Sequence, residues 1–110
     1  MVYLFGSRAV KKAASSSDYD FAVYLDEPDA VKRHETIFSL SGEMAKVLNT
    51  DKIDIHSLND LQAPELKYRI ICEGILLFER EPYRVLVEPR ILNEYFDFVY
   101  LLRKYHLTKT

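Results

Sequence analysis

Asp18 and Asp20 stand two apart in the run DYDFAVYLDE. On an extended chain alternate residues project from one side, so both carboxylates share a face. Two carboxylates converging in this way suit a hard divalent cation, and Mg²⁺ takes such oxygens together with phosphate and water. With ten residues between them and Asp18, Gly6 and Ser7 end the short apolar run Val2 to Phe5. Glycine lets the backbone approach a ligand closely, and Ser7 offers an amide and a hydroxyl to the oxygens of a polyphosphate. Asp54 lies in KIDIHSL, where Ile53 and Ile55 alternate with Asp54 and His56, so a third carboxylate points away from the apolar side. Two metal ions held by such a set would activate an incoming hydroxyl and clamp a leaving pyrophosphate, which is phosphoryl-transfer chemistry. An isolated Asp-x-Asp is more often a solvated strand end, and the Gly-Ser at this spacing is what favours the site. Asp51 rivals Asp54 but precedes the alternating part of its strand.

These residues need strands and turns to bring them together. Val2 to Phe5 reads as a first strand opening into a loop through KKAASSS, and DYDFAVYLDE as a second, with Tyr19, Phe21, Val23 and Leu25 opposite the carboxylates. Asp26 to Asp29 is a helix-start signature; Ile37, Leu40, Met44, Val47 and Leu48 form one stripe, and Asn49 is a left-handed terminator. KIDIHSL is a third strand. Pro64 and Gly74 bracket a short second helix, and ILLFE follows as a fourth strand. From Pro82 the pattern is helical but broken by Pro89. In the last segment Leu92, Tyr95, Phe96, Val99 and Leu102 make one stripe, widened by Ile91, Phe98 and Tyr105, an arc broader than one small sheet covers. The expectation is an α/β fold: a small mixed sheet of about four strands, helices mainly on one face, and the open face carrying the carboxylates.

Composition sets the outer bounds. The 110 residues contain 15 Lys and Arg against 17 Asp and Glu, a balance that gives no general electrostatic case for nucleic acid, so no direct nucleic-acid binding is expected. No apolar run approaches a membrane span and no signal-peptide pattern opens the chain, so a cytoplasmic location with no membrane partner is expected. A single domain over residues 1–110 follows from length and the absence of repeats. Cys72, the only cysteine, sits in RIICEGILLF and reads as a buried core thiol. Lys11 and Lys12 read as solvated, and the tract around Ser15 to Ser17 as small, flexible residues. His34, His56 and His106 read as structural or exposed, because Mg²⁺ prefers oxygen to imidazole.

Gly-Ser followed at this distance by Asp-x-Asp resembles the minimal nucleotidyltransferases of the polymerase-β-like superfamily. GSRA is similar to that family's opening, SDYDFAVYL to its metal-binding strand, DKIDIHSL to its third-carboxylate strand and ICEGILLFER to its last strand, so the likeness covers most of the chain. The resemblance implies the polymerase-β-like nucleotidyltransferase fold. It implies that Gly6 and Ser7, with Arg8, hold the phosphates of ATP, that Asp18 and Asp20 bind Mg²⁺, two ions in all, and that Asp54 is a general base or further metal ligand. Small stand-alone members look like antitoxins that transfer AMP from ATP to a tyrosine of a HEPN-domain RNase toxin, so such a toxin is the implied partner.

There are two departures from the family pattern. Val10, Lys11 and Lys12 follow GSRA where the family often has glycine, which makes the loop less permissive and more basic. The family also usually carries a helix before its first strand, whereas here the strand is already under way at Met1; either the start is displaced, or part of the nucleotide pocket is missing. The preferred expectation is a protein adenylyltransferase. The alternative is a non-catalytic antitoxin or binding module that neutralises the toxin by covering it, with the aromatic C-terminal helix as its contact. A transferase acting on a small-molecule hydroxyl ranks last, because the chain is short for the second domain that shapes such a pocket.

Overall fold

The computed structural model describes residues 1–10 and 18–106. Four strands form one sheet: β1 (Val2–Phe5), β2 (Tyr19–Val23), β3 (Ile53–Ser57) and β4 (Ile75–Phe78), in the order β3-β2-β1-β4. β1 runs antiparallel to β2 and β4, while β2 and β3 are parallel and joined by the long helix α1 (Ala30–Leu48). Helices α2 (Pro64–Glu73) and α3 (Tyr83–Lys104) flank β4.

Local chemistry accounts for the helix ends. Asp29 caps α1 by accepting from the Val31 amide at 2.9 Å, and Asn49 closes it in the left-handed region at φ 53°. Pro64 begins α2, and at Gly74 any Cβ would lie 2.2 Å from the Ile70 carbonyl oxygen, so only glycine fits this exit. α3 does not break at Pro89, contrary to the sequence reading. Proline removes one backbone donor, but Val87 and Ile91 on either side of it are both buried in the core and hold the helix through that gap.

The core cluster joins Met1, Tyr3 and Phe5 of β1's leading face and Ala22 of β2 to Leu58, Ile70, Val87 and Ile91. Ile70 is fully buried, and emptying its site would cost about 2–5 kcal/mol. The register places Tyr3 beside Ala22 and Phe5 beside Asp20, so the core and the carboxylates share one face. That corrects the expectation of an open carboxylate face. Among the described residues, helices α2 and α3 cover this side, and the carboxylates lie at its end, level with Phe5. Phe21 and Val23 point the other way and are also buried; α1 packs on β3 and contributes no residue to the core cluster. Alternation identifies which residues share a side, but which side the helices cover is decided by tertiary packing.

Side-chain contacts lock the helices to the sheet. Arg33 of α1 grips Asp60 after β3 through two bonds, Nε to Oδ2 at 3.2 Å and a second terminal nitrogen to Oδ1 at 2.6 Å. The buried Tyr3 hydroxyl donates to Glu88 of α3, and Arg84 holds the same carboxylate oxygen at 3.1 Å. α2 and α3 are joined by Lys67 and Glu94 at 2.8 Å and by stacked Tyr68 and Tyr95 rings 3.9 Å apart. Cys72 is exposed rather than buried: Ile70 takes the inward side of α2, and two positions further round the helix turns Cys72 out.

Candidate functional site

The site is assembled where β1 ends and β2 and β3 begin. β1 breaks after Phe5 into a single 3₁₀ turn, Gly6–Arg8, closed by the Ala9 amide donating to the Gly6 carbonyl at 3.1 Å. Gly6 has φ +75°, and a Cβ built on it would lie 2.5 Å from Asp20 Oδ2. Glycine is thus required twice, by its conformation and by the carboxylate it lies against. Ser7 is half-buried in this turn, and the Arg8 guanidinium stacks 3.9 Å from the centre of the Tyr19 ring.

Parallel pairing supplies the convergence. Asp20 stands in register with Asp54, and Ala22 with His56, so Asp54 and His56 rise from β3 on the same face as Asp20. His56 Nε2 lies 3.1 Å from Asp54 Oδ2, and the Phe5 ring meets the imidazole edge-on at 5.4 Å between centroids. One ligand atom from each of Asp20, Asp54 and His56 can be chosen so that all lie within 4.8 Å of one another. Burial raises the Asp20 carboxyl above its ordinary pKa; the negative charge of Asp54 adds to this, as does Asp18 to a lesser degree, while His56 opposes it. A partly desolvated carboxylate beside a second one is a place where a divalent cation relieves both repulsion and desolvation, so the donor set fits a metal ion.

Asp18 precedes β2, is exposed, and lies outside this group of three. It keeps the parity of Asp20, and it is near enough to raise Asp20's pKa. Asp51 is exposed before β3 begins. The sequence reading set His56 aside as structural or exposed, whereas the structure brings it together with Asp20 and Asp54; its parity with Asp54 was the available signal, and the two other histidines are exposed. Lys11, Lys12 and Ser15 to Ser17 lie outside the described residues.

A cleft of about 580 Å³ lies at the other end of the sheet, where β2 and β3 exit, between Tyr24, Asn59, Arg33 and Arg90. Its charges are largely committed, Arg33 to Asp60 and Lys67 to Glu94. The carboxylate site lies instead at the surface, with Asp54 more than half exposed.

In fold, the chain is similar to a crystal structure of a toxin-antitoxin with AMP-PNP, at TM-score 0.73 and 22% identity, covering 94% of this chain and 80% of that one. It is similar to a mutant of the toxin-antitoxin MntA-HpeT at TM-score 0.70 and 21% identity, with 94% and 80% covered. A third similar structure is of a tri-AMPylated Shewanella oneidensis HEPN toxin in complex with an MNT antitoxin, at TM-score 0.64 and 22% identity, with 94% and 76% covered. At these identities the likeness is one of fold. No curated protein matches the chain in sequence. Residues 1–83 match the family described as polymerase beta, nucleotidyltransferase, and the chain belongs to that family.

Proposed function

We propose that this protein, a single minimal domain over residues 1–110, is a Mg²⁺-dependent adenylyltransferase that moves AMP from ATP to a hydroxyl of a HEPN-domain toxin, a tyrosine hydroxyl above all, and thereby acts as its antitoxin in the cytoplasm. The observation that carries the chemistry is the register of Asp20 with Asp54 beside the Gly6–Arg8 turn. The choice of partner and acceptor is supported by the fold's likeness to toxin-antitoxin structures, one of them of a tri-AMPylated HEPN toxin in complex with an MNT antitoxin.

Asp18 and Asp20 would hold two Mg²⁺ ions, with Asp54 as further ligand or base. The ions, when bound, supply charge stabilisation on the phosphates and lower the cost of forming the attacking oxyanion. Gly6 and Ser7 would take the phosphate oxygens, the first through its close-lying backbone and the second through its amide and hydroxyl, with Arg8 adding a cation at the turn. The acceptor oxygen forms a bond to the α-phosphorus, the bond from that phosphorus to the β-bridging oxygen breaks, pyrophosphate leaves, and Asp54 takes the hydroxyl proton. Incubating the chain and its toxin with ATP labelled at the α- or the γ-phosphate tests this. Only the α-label should enter the toxin; entry of the γ-label would overturn the reading.

A second reading has its own observation. Phe96, Tyr100 and Leu101 on the outer half of α3 and Tyr105 just after it are all about half exposed or more, an apolar surface suited to covering a partner. Under that reading neutralisation survives loss of the carboxylates, and a toxin-inhibition assay with the Asp18→Asn, Asp20→Asn chain separates the two.

A further inference from the structure

The metal set of the proposed transfer consists of oxygen donors alone. The geometry points to a different set in this chain: we infer that His56 is a nitrogen ligand of the divalent ion held by Asp20 and Asp54, and that it biases the site toward Mn²⁺ over Mg²⁺. The inference rests on the metal-site part of the proposed function and not on the identity of the acceptor.

Three observations carry it. First, His56 is on the site face by register, opposite Ala22 and one strand step beyond Asp54, so its long side chain reaches back over the carboxylate. Second, it is Nε2, the outer ring nitrogen, that lies 3.1 Å from Asp54 Oδ2. Two adjacent ligands of an octahedral ion at about 2.1–2.2 Å are themselves about 3 Å apart, so an ion can join these atoms without rebuilding the strand. Third, the ring is steadied by its T-shaped contact with Phe5 yet stays about one-third exposed, so it is not sealed in the core. Ligation through Nε2 requires the ring proton on Nδ1, the ordinary arrangement for a metal-bound imidazole.

The consequence is one of selectivity. Mg²⁺ prefers oxygen donors and keeps its waters, whereas imidazole suits the later first-row ions, and Mn²⁺ accepts nitrogen and carboxylate together. An Asp-Asp-His set therefore discriminates between two ions that an all-carboxylate set holds more evenly. Both ions can assist the same transfer; His56 decides which is held more tightly.

The test uses the intact chain loaded with Mn²⁺ alone, read by electron spin-echo modulation, together with calorimetric affinities for Mn²⁺ and for Mg²⁺. Nitrogen coupling to bound Mn²⁺ is expected, altered by ¹⁵N-histidine labelling and absent in His56→Ala. Mn²⁺ affinity is expected to fall about tenfold in that variant while Mg²⁺ affinity stays within about twofold. His56→Gln, which keeps a polar side chain of similar reach, guards against misfolding and should bind both ions with the discrimination lost. Absence of nitrogen coupling in the wild-type chain, or an equal loss of both affinities in His56→Ala, would overturn the inference and leave His56 as a hydrogen-bond donor to Asp54. Mn²⁺ binding undiminished in the Asp18→Asn, Asp20→Asn chain would overturn the metal site itself. Nitrogen-coordinated Mn²⁺ without AMP transfer would sustain the inference and reject the proposed function.

Discussion

Asp20 of β2 and Asp54 of β3 stand in register on adjacent parallel strands, with Phe5 beside Asp20 on the third strand, β1. The strand pairing thus sets two carboxylates side by side at the end of a buried face. Such an arrangement costs stability in the absence of a cation and returns it on binding one.

Asp20→Asn should therefore hold or slightly raise the stability of the metal-free chain, by about 0.5 kcal/mol or less, since the group it replaces is partly desolvated and faces a like charge. The same variant should lose the stabilisation that a saturating divalent ion confers, about 2.7 kcal/mol at a hundredfold excess over the dissociation constant. Chemical denaturation with and without Mn²⁺ checks both; a variant that still gains stability from the ion would contradict the site.

Gly6→Ala separates the site from the fold. The added methyl would sit 2.5 Å from Asp20 Oδ2 at a positive φ. The carboxylate is a flexible end and can swing aside, so the folding penalty should be limited to the backbone strain of about 1–2 kcal/mol. Metal affinity should fall by about tenfold or more, because Asp20 is displaced from Asp54. Calorimetric titration beside thermal melting distinguishes this from general destabilisation.

Asp60 provides the acid limb of the stability profile. Its two bonds to Arg33, with a further one from Ser57, lower its pKa from 3.8 to about 2. A depressed carboxylate stabilises the fold above its unfolded value and loses that contribution as pH falls toward the folded one, so the loss should fall between about pH 4 and 2. Asp60→Asn should lower stability at pH 7 by about 1 kcal/mol, allowing for partial exposure, and flatten this limb. Denaturation midpoints across pH 2–7 would show it.

Much of the fold is written in local signals. Asp29, Asn49, Pro64 and Gly74 mark helix ends through chemistry that depends on a few neighbouring residues, and the alternation in DYDFAVYLDE and KIDIHSL gives the side on which each carboxylate lies. What local pattern does not contain is which strands are neighbours. Asp20 faces Asp54 because β3 lies beside β2, and α2 and α3 cover the carboxylate side because Ile70, Val87 and Ile91 pack on Tyr3 and Ala22. For the same reason Cys72 and Pro89 were misjudged from their neighbours: helix phase turned one outward, and core packing carried the helix through the other. His56 acquires a meaning only once its nitrogen is seen beside Asp54.

A probe of the α3 surface must avoid the residues packed inside it. Tyr95 is stacked on Tyr68 and Phe98 is half-buried, so a charge at either would disturb packing. Tyr100 is 63% exposed. Tyr100→Glu should leave stability within about 0.5 kcal/mol and weaken complex formation with the proposed toxin partner by about tenfold or more if this face is the contact. Unchanged binding by calorimetry would place the contact elsewhere.

The central claim is nucleotide transfer by the Asp20 and Asp54 site, and intact mass spectrometry of the proposed HEPN-domain partner after incubation with this chain and Mg-ATP tests it most directly. The account predicts an AMP-sized gain on the partner that disappears with the Asp18→Asn, Asp20→Asn chain. A stable complex on a sizing column with no gain in mass, or a gain that persists in the double variant, would contradict it.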